Sequence, residues 1–423
     1  MNKLSIILLI LILILPLTAL AAEEPFGDDP LDVGAKRPFV VHERNFEIGF
    51  LNMNVGISNS FMGVSEIFKK TIVLDLDRLA DGFNLNFGFE LSPFYLHMKM
   101  KNGMAFGIET NVEATGALDL KGNLLTLHEA TKEYSDISAA VFASITPTSS
   151  FHIQKFKIKV NPSLFWSLAY IKPPAITYTM SNDDGTVLYI DYNLDLYTAF
   201  PLNMSGGLTL TGKPGFDITM GVEYPLAKEI GLTKILPFLD FSVALDFVNV
   251  PIAGSMMHDH LQMNGRIGSD QPLDFNDIGS LFEGDGSGDG PFSIGEMASS
   301  YDKSGVLVYR PFKMLLSVPW HPLFGSKLLT ITPVIGFCIN SLYSEGNRGT
   351  IEAGISAKLS IANCFLATLS LSYTDRMFVN SLLLALNLRA FEFFIGADLR
   401  STDFARSWSG GGLGVALGFK FGW

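Results

Sequence analysis

Apolar and polar residues alternate along most of the chain. In segment 104–114 the apolar row includes Phe106 and Ile108, and the opposite row includes Glu109 and Asn111. The same alternation recurs in segments 156–170, 216–224, 239–247, 351–361 and 391–399. An alternation with a period of two is typical of β-strands that have one apolar face. The pattern therefore predicts an all-β protein.

The number of these segments favours one closed sheet. The chain contains roughly sixteen candidate strands, and a closed sheet needs no protection of strand edges. After the N-terminus no run of about 18 apolar residues occurs, as a transmembrane helix would need. Yet 48% of the residues are hydrophobic and the mean hydropathy is +0.30. We therefore predict a transmembrane antiparallel β-barrel of about 14 to 16 strands, with a large soluble β-sandwich as the alternative.

The lengths of the connections predict an orientation. Outer-membrane barrels alternate tight periplasmic turns with longer outer loops. If the last strand, 412–423, runs inward, the connections 343–349 and 254–304 lie outside. Residues 225–236 then lie inside as a short helical turn. The longest connection is thus expected as an outer loop over 254–304.

The N-terminus has the pattern of an export signal. Lys3 precedes an apolar run from Leu4 to Leu20, and the small residue Ala21 follows. This order predicts a signal peptide over 1–21 with cleavage after Ala21, and the alternative is an uncleaved anchor. Residues 22–44 are rich in Pro, Asp and Gly and are expected to form a mobile periplasmic tail.

A helical pattern interrupts the alternation near the start of the mature chain. Residues 45–82 are expected to form an N-terminal strand and one or two short helices, because apolar residues in 61–82 recur at helical spacing. The barrel proper is then expected over 83–423. The short helical segment is a candidate plug inside the lumen, and a cap at one rim is the alternative.

Charge and cysteine content limit partners and cross-links. The formal net charge is −12, which argues against a nucleic-acid partner because such proteins carry clustered Lys and Arg. Cys338 lies far along one predicted strand, and Cys364 lies at a predicted turn near the opposite rim. A disulfide would need their Cα atoms within about 7 Å, so two free thiols are expected.

The C-terminal stretch from Gly411 to Trp423 resembles the last strand of outer-membrane barrels, which ends in an aromatic residue read by the barrel-assembly machinery. With a helical segment near the start and this many strands, the whole mature chain resembles the FadL-type transporters of long-chain fatty acids and other hydrophobic compounds. The Asn-Pro-Ala element of that family's N-terminal hatch is absent.

The resemblance implies a function and partners. It implies a non-enzymatic channel in the cell outer membrane for uptake of hydrophobic small molecules such as long-chain fatty acids. The expected partners are outer-membrane lipids, a hydrophobic substrate and the barrel-assembly machinery, and no cofactor is required. A general diffusion porin, and a surface-exposed adhesin or structural barrel, are the alternatives.

The same resemblance indicates a substrate path through the helical segment. Phe61 and Phe68 would line the path, and Lys69, Lys70 or Arg78 would meet a carboxylate head group. The alternative is that these charged side chains face luminal water, because the lumens of such barrels are polar.

The predicted outer loop carries a motif for calcium. Residues 285–296 resemble the twelve-residue EF-hand loop, with Asp285, Ser287, Asp289 and Glu296 as oxygen ligands of Ca²⁺. The alternative is a flexible surface loop rich in Gly and Asp.

Two further patterns in the sequence do not indicate a metal site or an active site. His258, Asp259 and His260 are adjacent and alternate in direction, so they make a poor metal site and are expected in a solvated loop. A hydrolase of the outer membrane would need a converging nucleophile, base and acid, and no Gly-x-Ser-x-Gly motif is present.

Overall fold

The computed structural model describes residues 45–59, 82–100, 103–121, 130–172, 176–181, 187–200, 210–268, 293–294, 298–302, 305–323, 328–339, 349–361, 364–374, 377–388, 390–409 and 411–422. The strands are β1 (Phe46–Asn59), β2 (Phe83–Lys99), β3 (Ala105–Leu120), β4 (Ala130–Ile153), β5 (Phe156–Lys172), β6 (Ile176–Ser181), β7 (Val187–Thr198), β8 (Gly215–Tyr224), β9 (Asp240–Phe241), β10 (Val243–Ala253), β11 (Ser255–Met257), β12 (Asp259–Gly268), β13 (Ser293–Ile294), β14 (Ala298–Asp302), β15 (Val306–Val308), β16 (Phe312–Ser317), β17 (Trp320–His321), β18 (Leu329–Ile339), β19 (Thr350–Ile361), β20 (Phe365–Thr374), β21 (Met377–Asn387), β22 (Phe391–Ser401) and β23 (Gly412–Gly422). The helices are α1 (Leu226–Glu229), α2 (Leu232–Ile235) and α3 (Phe404–Ser409). Within these ranges, no helix combines the length and the apolar character needed to cross a bilayer.

The described strands form a closed 14-stranded antiparallel β-barrel, which confirms the predicted fold class. The wall follows the order β1, β2, β3, β4, β5, β8, β10, β16, β18, β19, β20, β21, β22 and β23. It closes where β23 pairs with β1, for example Ile48 with Phe421. We call the end that contains Phe46 and Gly422 the terminal end, and the opposite end the loop end.

The barrel begins earlier in the chain than the sequence indicated. Strand β1 pairs with β2 on one side and with β23 on the other, so it belongs to the wall and does not precede it. Asn59 pairs with Leu85 at the loop end. The connection 60–81 therefore leaves the wall and returns to it at the loop end.

The wall has an apolar outward face and a more polar inward face. The outward row of β23 carries Leu413, Val415 and Phe421, which are exposed, whereas Gly414 and Lys420 on the other row are buried. This outward row extends over roughly 27 Å along the strand at about 3.4 Å per residue. At the usual tilt of about 40° that height approaches the apolar band of about 25 Å in membrane barrels.

Several strands continue past the barrel rim at the loop end. There β6 pairs with β4 and β7, β7 pairs with β12, and β12 pairs with β14. This corrects the prediction of a plain outer loop over 254–304. The apolar row of β12, which consists of Leu261, Met263 and Ile267, is shorter than a membrane span. Its partner β14 lacks such a row, so the alternation did not mark these strands.

The two cysteines are free, as predicted. Cys338 is buried on the inward row of β18, and Cys364 is exposed in the turn before β20. The turn between β4 and β5 is fixed by an ion pair from Lys155 to Glu229 of α1. The hydrogen bond to Glu229 raises the pKa of Lys155.

Side chains replace missing backbone bonds between β4 and β5. The ladder pairs Ile145 with Leu164 and resumes only at Ser150 with Lys159. Pro147 and Pro162 lie in this interval, and proline has no N–H to donate. Other groups take over the bonding: the Ser149 N–H donates to Asn161 Oδ1 at 3.1 Å, the Ser149 hydroxyl to Val160 O at 2.6 Å, and the Thr146 hydroxyl to Ser163 Oγ at 2.8 Å.

Substituting Asn161→Ala is expected to destabilise the barrel. It leaves the N–H of Ser149 without its acceptor in a buried region, at a cost of about 1–3 kcal/mol. The measurement is the urea concentration at which the heat-modifiable folded form is lost. Gln262→Ala is the control, because Gln262 donates its bond to Asn193 at an exposed position and should change stability by less than about 0.5 kcal/mol. Equal effects of the two variants would contradict this role of Asn161.

Candidate functional site

The lumen is enclosed by the inward rows of the wall, and its charged side chains are buried. Glu47, Glu352 and Glu392 are each 0% exposed. Other buried charged side chains on the inward rows or inside the barrel include Lys157, Asp217, Arg310, Asp398 and Lys420. In a wide water-filled pore such groups would be solvated. The described part of the lumen is therefore tightly packed.

Two short strands leave the wall and pack inside the barrel. Strands β11 and β15 pair with each other in a separate two-stranded sheet, between wall strands β10 and β16 and the extension beyond the rim. We call residues 254–258 and 305–311 the inward fold. Ser255 fixes it to the neighbouring wall: its hydroxyl accepts the N–H of Ser167 at 2.9 Å and donates to Lys213 O at 3.0 Å.

An apolar cluster forms where the inward fold meets β4 and β5. Phe165 is 1% exposed, and its ring contacts Phe142 at a centroid distance of 6.1 Å. The other buried members of the cluster are Ala140, Ala199, Met257 and Val308, with Tyr170, Tyr197 and Val306 packed against them. The inward fold and the inward faces of β4 and β5 are thus joined by apolar side chains.

A second apolar cluster lies on the inward rows of β20, β21 and β22. Its members are Leu366, Leu383, Ala385 and Phe394, all buried. Hydrophobic side chains therefore line two separate parts of a lumen that also holds buried charges.

Arg310 connects the inward fold to β8 and β3. Its guanidinium forms two bonds to Asp217 on β8, Nε to Oδ2 at 2.8 Å and Nη2 to Oδ1 at 2.7 Å. Its Nη1 lies 3.9 Å from Glu113 Oε1 on β3, and its Cζ lies 5.2 Å from the Phe165 ring centroid. In the wall β16 is separated from β3 by β10, β8, β5 and β4. Arg310 therefore reaches across the lumen.

An ion-pair cluster occupies the terminal end of the lumen. The Lys420 ammonium lies 3.4 Å from Glu47 Oε2 and 3.5 Å from Glu392 Oε1. The Tyr95 hydroxyl donates to the same Glu47 oxygen at 3.3 Å. Lys358 on β19 interacts electrostatically with both Lys420 and Glu392. We call Glu47, Lys358, Glu392 and Lys420 the terminal cluster; it joins strands from different parts of the wall.

Most of the site residues predicted from the sequence lie outside the described residues. Phe61, Phe68, Lys69, Lys70 and Arg78 lie outside the described residues. So do the predicted calcium ligands, namely Asp285, Ser287, Asp289 and Glu296. The signal peptide over 1–21 also lies outside them. These assignments stay predictions.

The solvated loop expected at His258, Asp259 and His260 is corrected. Asp259 and His260 belong to β12 and are both buried. The Thr211 hydroxyl donates to Asp259 Oδ2 at 2.8 Å, and His260 Nε2 lies 3.0 Å from Asp195 Oδ1. In the part of the chain that the structure describes, no three His, Cys, Asp or Glu side chains form a metal-ligand group.

Sequence reasoning did not select Arg310, Phe142, Phe165 or the terminal cluster. One signal was present in the sequence. Residues 164–166 read Leu-Phe-Trp, so both rows of β5 are apolar there and the inward row must be covered by something other than water. The ion pairs had no comparable signal, because Glu47 and Lys420 meet only when the barrel closes.

Comparisons with solved structures return transporter barrels. The toluene transporter TodX of Pseudomonas putida aligns with a TM-score of 0.50 and 8% identity over 96% of this chain and 96% of that chain. A FadL homologue of Pseudomonas aeruginosa gives 0.41 and 11% over 96% of each chain. The CymD monoaromatic hydrocarbon channel gives 0.44 and 8% over 90% of this chain and 89% of that chain.

The chain shares the barrel fold of TodX. The resemblance to FadL-type transporters stated from the sequence is thereby confirmed for the architecture. At 8% identity the similarity to TodX concerns the fold alone. No protein-family model matches the chain, and no curated protein sequence matches it.

Proposed function

We propose that the protein is an outer-membrane channel for the uptake of hydrophobic small molecules, and that it has no enzymatic activity. The observation that carries the proposal is the inward fold, which packs an apolar cluster against β4 and β5 inside the lumen. Water and ions pass poorly through a dry apolar constriction. A hydrophobic solute can enter such a constriction at little cost in free energy, because the solute leaves water at the same time.

A general diffusion porin fits these observations less well. Its lumen would be wide and hydrated, with charged side chains in contact with water. Here Asp217, Arg310, Glu47 and Lys420 are buried and paired. The similar fold of the toluene transporter TodX supports the same choice.

The connection 60–81 has a place in this proposal. It begins and ends at the loop end, so a plug formed by Phe61, Phe68, Lys69, Lys70 and Arg78 would enter the lumen from that side. A carboxylate head group would meet the three cations there first. Residues 1–21 would direct export, and the last strand would be read by the barrel-assembly machinery.

The function is tested by conductance and ligand binding on one purified preparation of the mature protein. In planar bilayers we expect almost no steady ion current. In detergent we expect saturable binding of a fluorescent long-chain fatty acid, displaced by unlabelled fatty acid or by toluene. Displacement by only one competitor would identify the substrate class. A large steady current without fatty-acid binding would establish the porin instead.

Two variants locate the binding. Phe165→Ser is expected to weaken fatty-acid binding, because it puts a hydroxyl into the apolar cluster. Leu369→Ala is the matched control: Leu369 lies on the outward row of β20, so binding should be unchanged. Deletion of 61–81 should raise the ion current of a plugged channel and leave that of a porin unchanged.

A further inference from the structure

Helix α3 lies on the outward face of the barrel at the loop end. The outward row of β21 includes the exposed Leu382, and Phe378 and Asn380 belong to the same row because the strand pairs without a shift in register. The Asn380 amide donates to Ser407 Oγ at 2.9 Å. The Phe404 ring packs edge-on against Phe378 at a centroid distance of 5.3 Å. The helix therefore covers the outside of the wall.

The position of α3 coincides with the limit of the apolar band. Asn380 pairs with Leu399, and Leu399 pairs with Leu413. Leu413 is the member of the outward row of β23 nearest the loop end. The helix thus covers the outward row where apolar side chains give way to polar ones.

The helix shields polar groups and presents aromatic ones. Asn380 and Ser401 are polar residues on outward rows, and both are buried. These polar side chains would cost free energy if they faced acyl chains without a hydrogen-bond partner. Phe404 is 50% exposed and Trp408 is 56% exposed. The outer surface at this level therefore presents aromatic side chains of α3, and the polar side chains of the wall are covered.

The charged groups of the segment complete an interfacial pattern. Asp403 Oδ1 accepts the N–H of Arg406 at 2.9 Å, and the Arg406 side chain is exposed on the same short helix. Tryptophan is enriched where membrane meets water, since its ring is apolar and its N–H needs a polar partner. Arginine keeps its charge in the headgroup layer while its stem lies along apolar surface.

We propose that α3 is an interfacial anchor that binds the lipid bilayer at the headgroup boundary of the leaflet facing the loop end. Phe404 and Trp408 lie among the upper acyl chains, and Arg406 lies among the headgroups. The occupant is lipid because the surface continues the apolar outward rows of β21, β22 and β23. The inference does not depend on which molecule the barrel transports.

Fluorescence quenching of Trp408 tests the anchor. The mature protein carrying Trp166→Phe, Trp320→Phe and Trp423→Phe is reconstituted into phosphatidylcholine vesicles. The vesicles contain a headgroup nitroxide, bromine near the top of the acyl chains, or bromine near their ends. Headgroup or shallow quenchers are expected to act at least about twofold more strongly than deep ones. Full quenching by aqueous acrylamide with none by lipid would overturn the proposal.

Controls separate lipid contact from other causes of shielding. A protein that retains only Trp166, on the outward row of β5, should also be quenched by lipid. Dilution of protein into lipid tests for a second copy: quenching by lipid that appears only at low protein density would show a protein contact and overturn the proposal. Folding of each variant is verified by heat-modifiable mobility.

A spin label gives a second readout if the triple substitution does not fold. Trp408→Cys is labelled in protein carrying Cys338→Ser and Cys364→Ser. Greater accessibility to oxygen than to a water-soluble nickel complex supports the anchor. The reverse order overturns it.

Discussion

Replacing Arg310 with methionine is expected to open the lumen to ions. Arg310→Met keeps an apolar stem beside Phe165 but leaves Asp217 and Glu113 without their cation. Removal of one partner from a buried pair costs about 3–5 kcal/mol. A loss of about 3 kcal/mol shifts an equilibrium by roughly 100-fold. The inward fold should then separate from β8 and β3, and single-channel recordings in planar bilayers should show a steady current.

A companion substitution distinguishes loss of the connection from loss of folding. In Arg310→Met with Asp217→Asn the more deeply buried of the two carboxylates is neutralised, so part of the thermal stability should recover while the current stays high. Lys155→Met, at an exposed turn, is the matched loss of one cation and should leave the lumen closed. A folded Arg310→Met protein with no more current than the parent would show that the inward fold does not close the lumen.

The architecture could be predicted from the sequence because one face of nearly every wall strand is apolar. Segment 351–361 corresponds to β19, and segment 391–399 lies within β22. In a closed sheet every wall strand needs an apolar outward row, so the alternation recurs many times along the chain. The start of the wall was less clear, because β1 is separated from β2 by the long connection 60–81.

The candidate site could not be predicted because it depends on contacts across the lumen. Arg310 contacts Asp217, which is 93 residues away in the sequence. Lys420 contacts Glu47, which is 373 residues away. Alternation assigns each residue to a face but does not say which inward residues meet. That information comes from the order of the strands and the register at closure.

The strands beyond the rim were not predicted from the sequence, for a different reason. Strand β12 contains His260 and Asp259, whose polar side chains suggested a solvated loop. They are instead satisfied by Asp195 and Thr211 on neighbouring segments. A strand outside the apolar band needs no long apolar row, so its composition resembles that of a loop.

Replacing Lys420 with methionine is expected to destabilise the terminal end of the barrel. Lys420→Met removes the ammonium that lies near Glu47 and Glu392. Both carboxylates are at positions that are 0% exposed. Such a loss costs about 3–5 kcal/mol, seen as a lower denaturant midpoint. The cluster then carries two carboxylates and one ammonium, that of Lys358. Any current through the opened end should prefer cations, since acidic groups lining a pore attract them.

The reversal potential across a KCl gradient measures that preference, and a double substitution tests its origin. Lys420→Met with Glu392→Gln removes one of the two carboxylates that lose Lys420, so it should recover part of the stability and lower the preference for K⁺. Contacting residues of this kind show non-additive effects of about 0.5–3 kcal/mol. Lys121→Met is the matched control, because Lys121 pairs with Asp119 at an exposed position where an ion pair contributes at most about 1 kcal/mol. If the Lys420 and Lys121 variants were equally stable, the buried ion pairs would not hold the terminal end closed.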